Sequence, residues 1–118
     1  MTMRITCTDR IKTGVEGLDT ILNGGLVRGA AYIVHGPPGA GKTIFANQAC
    51  CNIARGGGRA LYVSLLAESH DRMMMHMSAM SFFDRSLVPA SIVYLSAFAT
   101  LHSDGLAGLL RLVFEESR

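Results

Sequence analysis

Gly36-Pro37-Pro38-Gly39-Ala40-Gly41-Lys42-Thr43 is the stretch that decides how this chain is read. It satisfies G-x-x-x-x-G-K-[ST] at every specified position, the pattern of a phosphate-binding loop. Each residue type has a task. Glycines adopt backbone angles closed to other residues and let the chain approach phosphates closely. The loop N–H groups then face inward as an anion nest. A helix opening at Lys42 adds its positive N-terminal end. Lys42 brings a mobile full charge to the outer phosphates, and the Thr43 hydroxyl is placed to ligate Mg²⁺. The candidate nucleotide-binding set is Gly36, Pro37, Pro38, Gly39, Ala40, Gly41, Lys42, Thr43 and Ile44. Within it Thr43 is the candidate metal ligand, and Lys42 also has a candidate catalytic role. The ligand this implies is a nucleoside triphosphate. The alternative, a glycine-rich turn that binds nothing, leaves the lysine and threonine at those spacings unexplained.

The pattern on either side gives the loop its context. Residues 30–34 are a short apolar run with Tyr32, Ile33 and Val34, which predicts a buried strand entering the loop. Residues 42–55 contain no Gly or Pro, and Phe45, Ala49 and Ile53 recur every four positions on one helical face. Gly56-Gly57-Gly58 stops that helix, with Arg55 near its negative end. Residues 59–66 predict a second buried strand. Residues 71–81 read as a helix with Met73, Met77 and Met80 along one stripe, either core filling or, with Met74 and Met75, an adaptable contact surface. Residues 82–89 connect to a third strand at 91–95. Ser103 is placed to cap a last helix. In that helix Leu106, Leu109, Leu110, Val113 and Phe114 fall at i, i+3, i+4, i+7 and i+8. Ahead of the first strand, residues 12–29 hold five glycines around the apolar segment 18–22, which predicts an irregular lead-in with one or two helical turns. Strands alternating with helices predict an α/β fold with a mainly parallel sheet covered on both faces.

Composition bounds the class. The chain has 118 residues, 49% of them hydrophobic and 17% charged, which fits one globular domain and excludes a disordered chain. A formal net charge of +2 gives no support to nucleic acid or an anionic membrane as partner. No apolar run approaches the roughly 20 residues of a membrane span, and residues 1–10 lack the apolar core of a signal peptide. Cys7, Cys50 and Cys51 make no disulfide framework and read as reduced thiols of a cytoplasmic protein.

Glu68 follows the second strand, in Leu65-Leu66-Ala67-Glu68-Ser69-His70. The carboxyl ends of adjacent parallel strands face one crevice, where ligands bind. A carboxylate there can polarise water for attack on a terminal phosphate. An exposed loop acid, or a charge before the next helix, is the other reading. His70 reads as a cap or surface residue unless it joins the site, and His76 and His102 have no ligand-like partners.

Three blocks then share a pattern. They are Thr13-Gly14-Val15-Glu16-Gly17-Leu18-Asp19 with Gly24-Gly25-Leu26-Val27-Arg28-Gly29, the loop running into Thr43-Ile44-Phe45-Ala46, and Leu61-Tyr62-Val63-Ser64-Leu65 ending in Ala67-Glu68-Ser69. Together they resemble the KaiC-like branch of the RecA superfamily of P-loop ATPases. The resemblance spans about residues 10–118 and rests on pattern alone beyond Phe82. It implies a three-layer RecA-like fold with a mainly parallel sheet, and ATP with Mg²⁺ as ligands. It implies that a glutamate ending the second strand activates the hydrolytic water, a catalytic role that falls to Glu68. Ala67 stands where the family often has a second glutamate. Ring-shaped homo-oligomers with ATP between subunits, and regulatory or signalling work with protein partners, are implied as well. The family's Walker B aspartate has no counterpart, since Ile92-Val93-Tyr94-Leu95 runs into Ser96. Residues 10–118 are therefore expected to be the N-terminal portion of a KaiC/RecA-like ATPase domain, incomplete at its C-terminus, behind a tail at 1–9. Hydrolysis is expected of the complete protein and little of it from this chain. Three other readings stand beside this one: a non-hydrolysing, nucleotide-dependent interaction module, a DNA recombinase relative, and a small-molecule kinase.

Overall fold

The loop at 36–43 hands over directly to the longest unbroken helix of the first half of the chain. In the computed structural model, which describes residues 9–66 and 69–118, α2 runs Lys42–Arg55, the span the sequence predicts. Gly41 opens it at φ 97°, and Gly56 caps its end. The face it buries is not the apolar stripe at Phe45, Ala49 and Ile53. Asn47, Cys51 and Ala54 are buried, whereas Phe45, Ala49 and Ile53 are only half-buried. Both stripes repeat at helical spacing. The small side chains of Cys51 and Ala54 let the helix sit close to a strand, and that closeness decides which stripe turns inward.

Before the loop, β1 (Arg10–Ile11) pairs antiparallel with β2 (Leu26–Val27). Between them lies α1 (Glu16–Ile21), the short helical segment expected in the lead-in. Thr13 is completely buried there. The Asp19 carboxylate accepts from the Thr13 hydroxyl at 2.6 Å, the Thr13 N–H at 3.0 Å and the Gly14 N–H at 3.0 Å. The Thr13 hydroxyl, first among these donors, holds the Asp19 carboxyl below the ordinary carboxylate range. The turn is docked on α2 by the Asn52 amide, which donates to the Thr13 carbonyl at 2.9 Å. Gly14 has φ 81°, and a β-carbon there would run into the Asn52 amide, so this position requires glycine twice over. The Thr13–Asp19 block thus fastens the lead-in to the helix that follows the loop.

After α2 come β3 (Ala60–Ser64), α3 (His70–Met77), a 3₁₀ turn at Arg85–Leu87, β4 (Ile92–Ser96) and α4 (Phe98–Glu116). β3 and β4 pair in parallel, in register from Ala60 opposite Ile92 to Ser64 opposite Ser96. Cys51, Ala54 and Ile92 form the buried core, and Phe82, Phe83, Leu87 and Tyr94 pack around it. The Arg55 guanidinium reaches the Phe82 carbonyl and ties the end of α2 to the connector. The result is an α/β fold with a small parallel sheet.

Four expectations need correction. Residues 30–34 form no strand, and Ile33 is 95% exposed. A strand needs a neighbour to take its backbone hydrogen bonds. Among the described residues β3 pairs only with β4, and nothing pairs with 30–34. Their apolar side chains instead line an open groove with Leu18, Leu22, Leu26 and Phe45. The second strand ends at Ser64, leaving Leu65 and Leu66 exposed. The methionine helix ends at Met77, where Ser78 takes the Met74 carbonyl with both its N–H and its hydroxyl. Met77 is buried as expected, while Met75 is exposed. The last helix begins at Phe98, not at Ser103, whose hydroxyl donates to the Ala99 carbonyl inside it. Gly105, at φ 68° and ψ −163°, breaks that helix in the middle. Along its second half Leu106 is 71% and Phe114 68% exposed, so the predicted apolar stripe is only partly covered.

Candidate functional site

The loop at 36–43 is exposed from Pro37 to Ala40 and closed on itself by one turn bond, Ala40 N–H to Pro37 carbonyl at 3.2 Å. Gly39 (φ 83°) and Gly41 (φ 97°) take left-handed angles, and a β-carbon at either would meet only open space. These glycines are there for their backbone angles, with nothing of the protein packed over them. The Lys42 ammonium folds back across the loop and donates to the Gly36 carbonyl at 2.6 Å and the Pro37 carbonyl at 2.9 Å. No side chain caps α2, and no acidic residue sits in its first turn. Among the described residues the start of α2 therefore presents N–H groups and a lysine with no carboxylate in its own first turn, a donor set suited to an anion. A pocket of about 330 Å³ lies here, lined by Pro38, Gly39, Gly41, Lys42, Thr43 and Ile44.

Thr43 also forms part of a second, smaller cavity, partly open to solvent, of about 100 Å³ at the carboxyl end of β3. Tyr62, Ser64, Leu66, Ser69, His70 and Met73 complete its wall. Tyr62 and Ser64 alternate onto the same face of β3. Tyr62 lies opposite Tyr94 of β4, with ring centroids 5.3 Å apart. Burial raises the pKa of both phenols above the ordinary tyrosine value, so both stay protonated.

Asn47 joins the two halves of this arrangement. It is one helical turn past Thr43 and fully buried. Its amide donates to the Thr43 carbonyl at 2.9 Å and touches the Met73 sulfur at 3.6 Å, while its carbonyl oxygen accepts from the Tyr94 hydroxyl at 2.6 Å. The helix that carries Lys42 and Thr43 is thereby fixed to β4. Sequence reasoning missed Asn47. The available signal was a polar residue at i in an i, i+4, i+7 set with Cys51 and Ala54.

The Asn47–Tyr94 bond gives a stability prediction. Asn47→Leu strands the Tyr94 hydroxyl, and Tyr94→Phe strands a fully buried carbonyl oxygen. Each should destabilise by about 1–3 kcal/mol, a fall of roughly 4–12 °C in the unfolding midpoint. The double variant should lose clearly less than the sum, since both polar partners are then gone. Additive losses by thermal denaturation would show that the two groups do not depend on each other.

The structure brings Lys42, Thr43 and the loop glycines together around one pocket, and Thr43 and His70 around a second at the carboxyl end of β3. His70 is not the cap of α3. Ser69 has that role, accepting from the Asp71 N–H at 3.2 Å. Ala67 and Glu68 lie outside the described residues, as does Cys7. Cys50 and Cys51 are free thiols. Among the described residues no group of three or more His, Cys, Asp or Glu could hold a metal ion, and no helix is long and apolar enough to cross a membrane.

Comparison with known proteins gives the family. A UPF0273 protein of Pyrococcus horikoshii is 43% identical over 58 residues, which are 49% of this chain and 24% of the relative. A UPF0273 protein of Aeropyrum pernix is 44% identical over 57 residues, 48% of this chain and 23% of the relative. The DNA repair protein RadA of Brucella abortus is 42% identical over 55 residues, 47% of this chain and 12% of the relative. The matched stretch thus covers about a quarter or less of the length of these relatives. No solved structure matches significantly. The sequence model of the family described as "ATPase: KaiC" matches residues 11–99. That match takes in the Thr13–Asp19 turn, the loop, α2 and the β3–β4 pair, and on this ground the chain belongs to the KaiC family of P-loop ATPases.

Proposed function

We propose that this chain binds ATP with Mg²⁺ through Gly36, Pro37, Pro38, Gly39, Ala40, Gly41, Lys42, Thr43 and Ile44. The observation that carries this reading is the start of α2, which among the described residues has no side-chain cap and no acid in its first turn, beside a lysine that turns across the loop. The loop N–H groups and Lys42 hold the phosphates, and the Thr43 hydroxyl takes the metal. Bound Mg²⁺ supplies charge neutralisation on the outer phosphate oxygens. Adenine as the base rests on the family. Titration of this chain with a fluorescent ATP analogue and Mg²⁺ tests the reading. Saturable binding that unlabelled ATP displaces is expected, and its absence would remove the proposal.

In the complete protein the same site hydrolyses ATP, with Glu68 as the base that activates water. Residues 10–118 are then the N-terminal portion of a three-layer RecA-like domain. Two observations support this. The Pyrococcus relative is about twice as long, since the same 58 residues are 49% of one chain and 24% of the other. Ile33, Leu106 and Phe114 also leave apolar surface uncovered. The same surface favours a second reading, a nucleotide-dependent interaction module that assembles into rings or meets a signalling partner without hydrolysis. A cytoplasmic setting goes with either reading, given the free thiols of Cys50 and Cys51. The RadA relatives are named for DNA repair. This chain's net charge of +2 gives no basic footprint of the kind nucleic acid needs.

A further inference from the structure

His70 is the first residue of α3, and its ring lies against both sheet tyrosines. The centroids are 5.8 Å from Tyr94 and 6.3 Å from Tyr62, the latter edge-on. The ring is therefore fixed by packing on two sides. Its Nε2 atom is buried and has no hydrogen-bond partner among the described residues. A buried ring nitrogen without a partner is uncommon and calls for a ligand, since the loss of its hydrogen bond to water is otherwise uncompensated. His70 lines the partly open cavity of about 100 Å³, well above the roughly 10–15 Å³ that one water needs.

The place of that cavity identifies the ligand. Thr43 lines both this cavity and the pocket formed by Pro38, Gly39, Gly41, Lys42 and Ile44. The cavity also sits at the carboxyl end of β3, the edge of a parallel sheet where ligands bind. An anion held by the loop beside Thr43 therefore borders the cavity that His70 lines. The geometry points to His70 Nε2 as a hydrogen-bond donor to the terminal phosphate of a nucleoside triphosphate. In the Nε2–H tautomer the nitrogen carries the proton that a phosphate oxygen accepts. Ser64 and Ser69 add hydroxyls to the same wall. The diphosphate lacks that terminal group, so His70 makes the site prefer ATP to ADP. This inference rests on the nucleotide-binding reading of the loop.

The test is the ratio of affinities for a non-hydrolysable imido analogue of ATP and for ADP, each with Mg²⁺. The wild-type chain is expected to prefer the triphosphate. His70→Phe keeps a ring between Tyr62 and Tyr94 but removes the donor, and should reduce the preference about tenfold with ADP affinity unchanged. His70→Gln, which places an N–H near the Nε2 position, should recover part of it. A reading that needs no variant is the ¹⁵N resonance of His70 Nε2. It should move when the imido analogue is added and not when ADP is added. An unchanged affinity ratio in His70→Phe, or an equal response of the resonance to both nucleotides, would overturn the inference and leave water as the cavity's occupant. If instead neither nucleotide binds the wild-type chain, the loop reading fails and this inference falls with it. The two failures are distinct, because the first keeps saturable binding that depends on Lys42.

Discussion

Lys42→Ala should lower the affinity of this chain for MgATP by about 100-fold or more. The Lys42 ammonium donates to the Gly36 and Pro37 carbonyls at 2.6 and 2.9 Å, so it already lies across the mouth of the loop. Phosphate oxygens of full charge outcompete neutral carbonyls for the same N–H donors. A hydrogen bond to a charged group contributes about 1.5–3 kcal/mol. Two of them are worth about 3 kcal/mol at the least, and each 1.4 kcal/mol is about tenfold in affinity. Lys42→Arg keeps the charge but offers a planar fork in place of a compact ammonium, and should fall between alanine and wild type. Equilibrium titration reads these affinities directly. Thermal denaturation gives an independent reading, because nucleotide at about 100 times its dissociation constant stabilises the native state by about 2.7 kcal/mol. That gain should vanish in the alanine variant, while its unfolding midpoint without nucleotide stays near that of wild type. Unchanged affinity in Lys42→Ala would mean that the lysine serves only to close the loop on its own carbonyls.

What the sequence made legible follows from the range of the interactions involved. The bounds of α2 were readable because its signals are local: Gly41 before it, Gly56 after it and no breaker between. β4 was readable within one residue for the same reason, its apolar run being bounded by residues that favour turns. Residues 30–34 carry as good a strand pattern, yet a strand is completed by a neighbour far away in the chain, and local pattern is silent on whether the neighbour is there. The inward face of α2 was not legible for a similar reason. Phe45, Ala49 and Ile53 make the more apolar stripe, but the stripe that fits against the sheet is set by the small volumes of Cys51 and Ala54. Of the site, the loop was legible as a motif. The Asn47 link from Thr43 to Tyr94 was not, because it spans 47 positions between Asn47 and Tyr94. The Thr13–Asp19 block was legible as a family resemblance only. Its physical task, anchoring to Asn52 across 39 positions, appears once the chain is folded.

The other large effect is expected at Glu68 in the full-length protein. Glu68→Gln should reduce ATP turnover by about 100-fold or more, the usual contribution of a general base or more. It should leave MgATP affinity nearly unchanged, because glutamine keeps the shape and removes only the proton acceptor. In the chain Glu68 stands between Leu66 and Ser69, and both of these line the cavity that Thr43 shares. The competing reading makes Glu68 a favourable charge before α3. Ser69 is the N-cap of that helix, so Glu68 precedes the cap, whereas the dipole effect is concentrated in the first turn. A helix-charge role therefore predicts a loss of well under about 1 kcal/mol in stability and no effect on turnover. The two variants fail in opposite ways. Lys42→Ala loses binding and with it everything downstream, while Glu68→Gln holds ATP without splitting it. Single-turnover measurement at saturating MgATP separates them, since affinity then no longer limits the rate. Undiminished turnover in Glu68→Gln would take Glu68 out of the mechanism and leave the attacking water to be oriented by other groups.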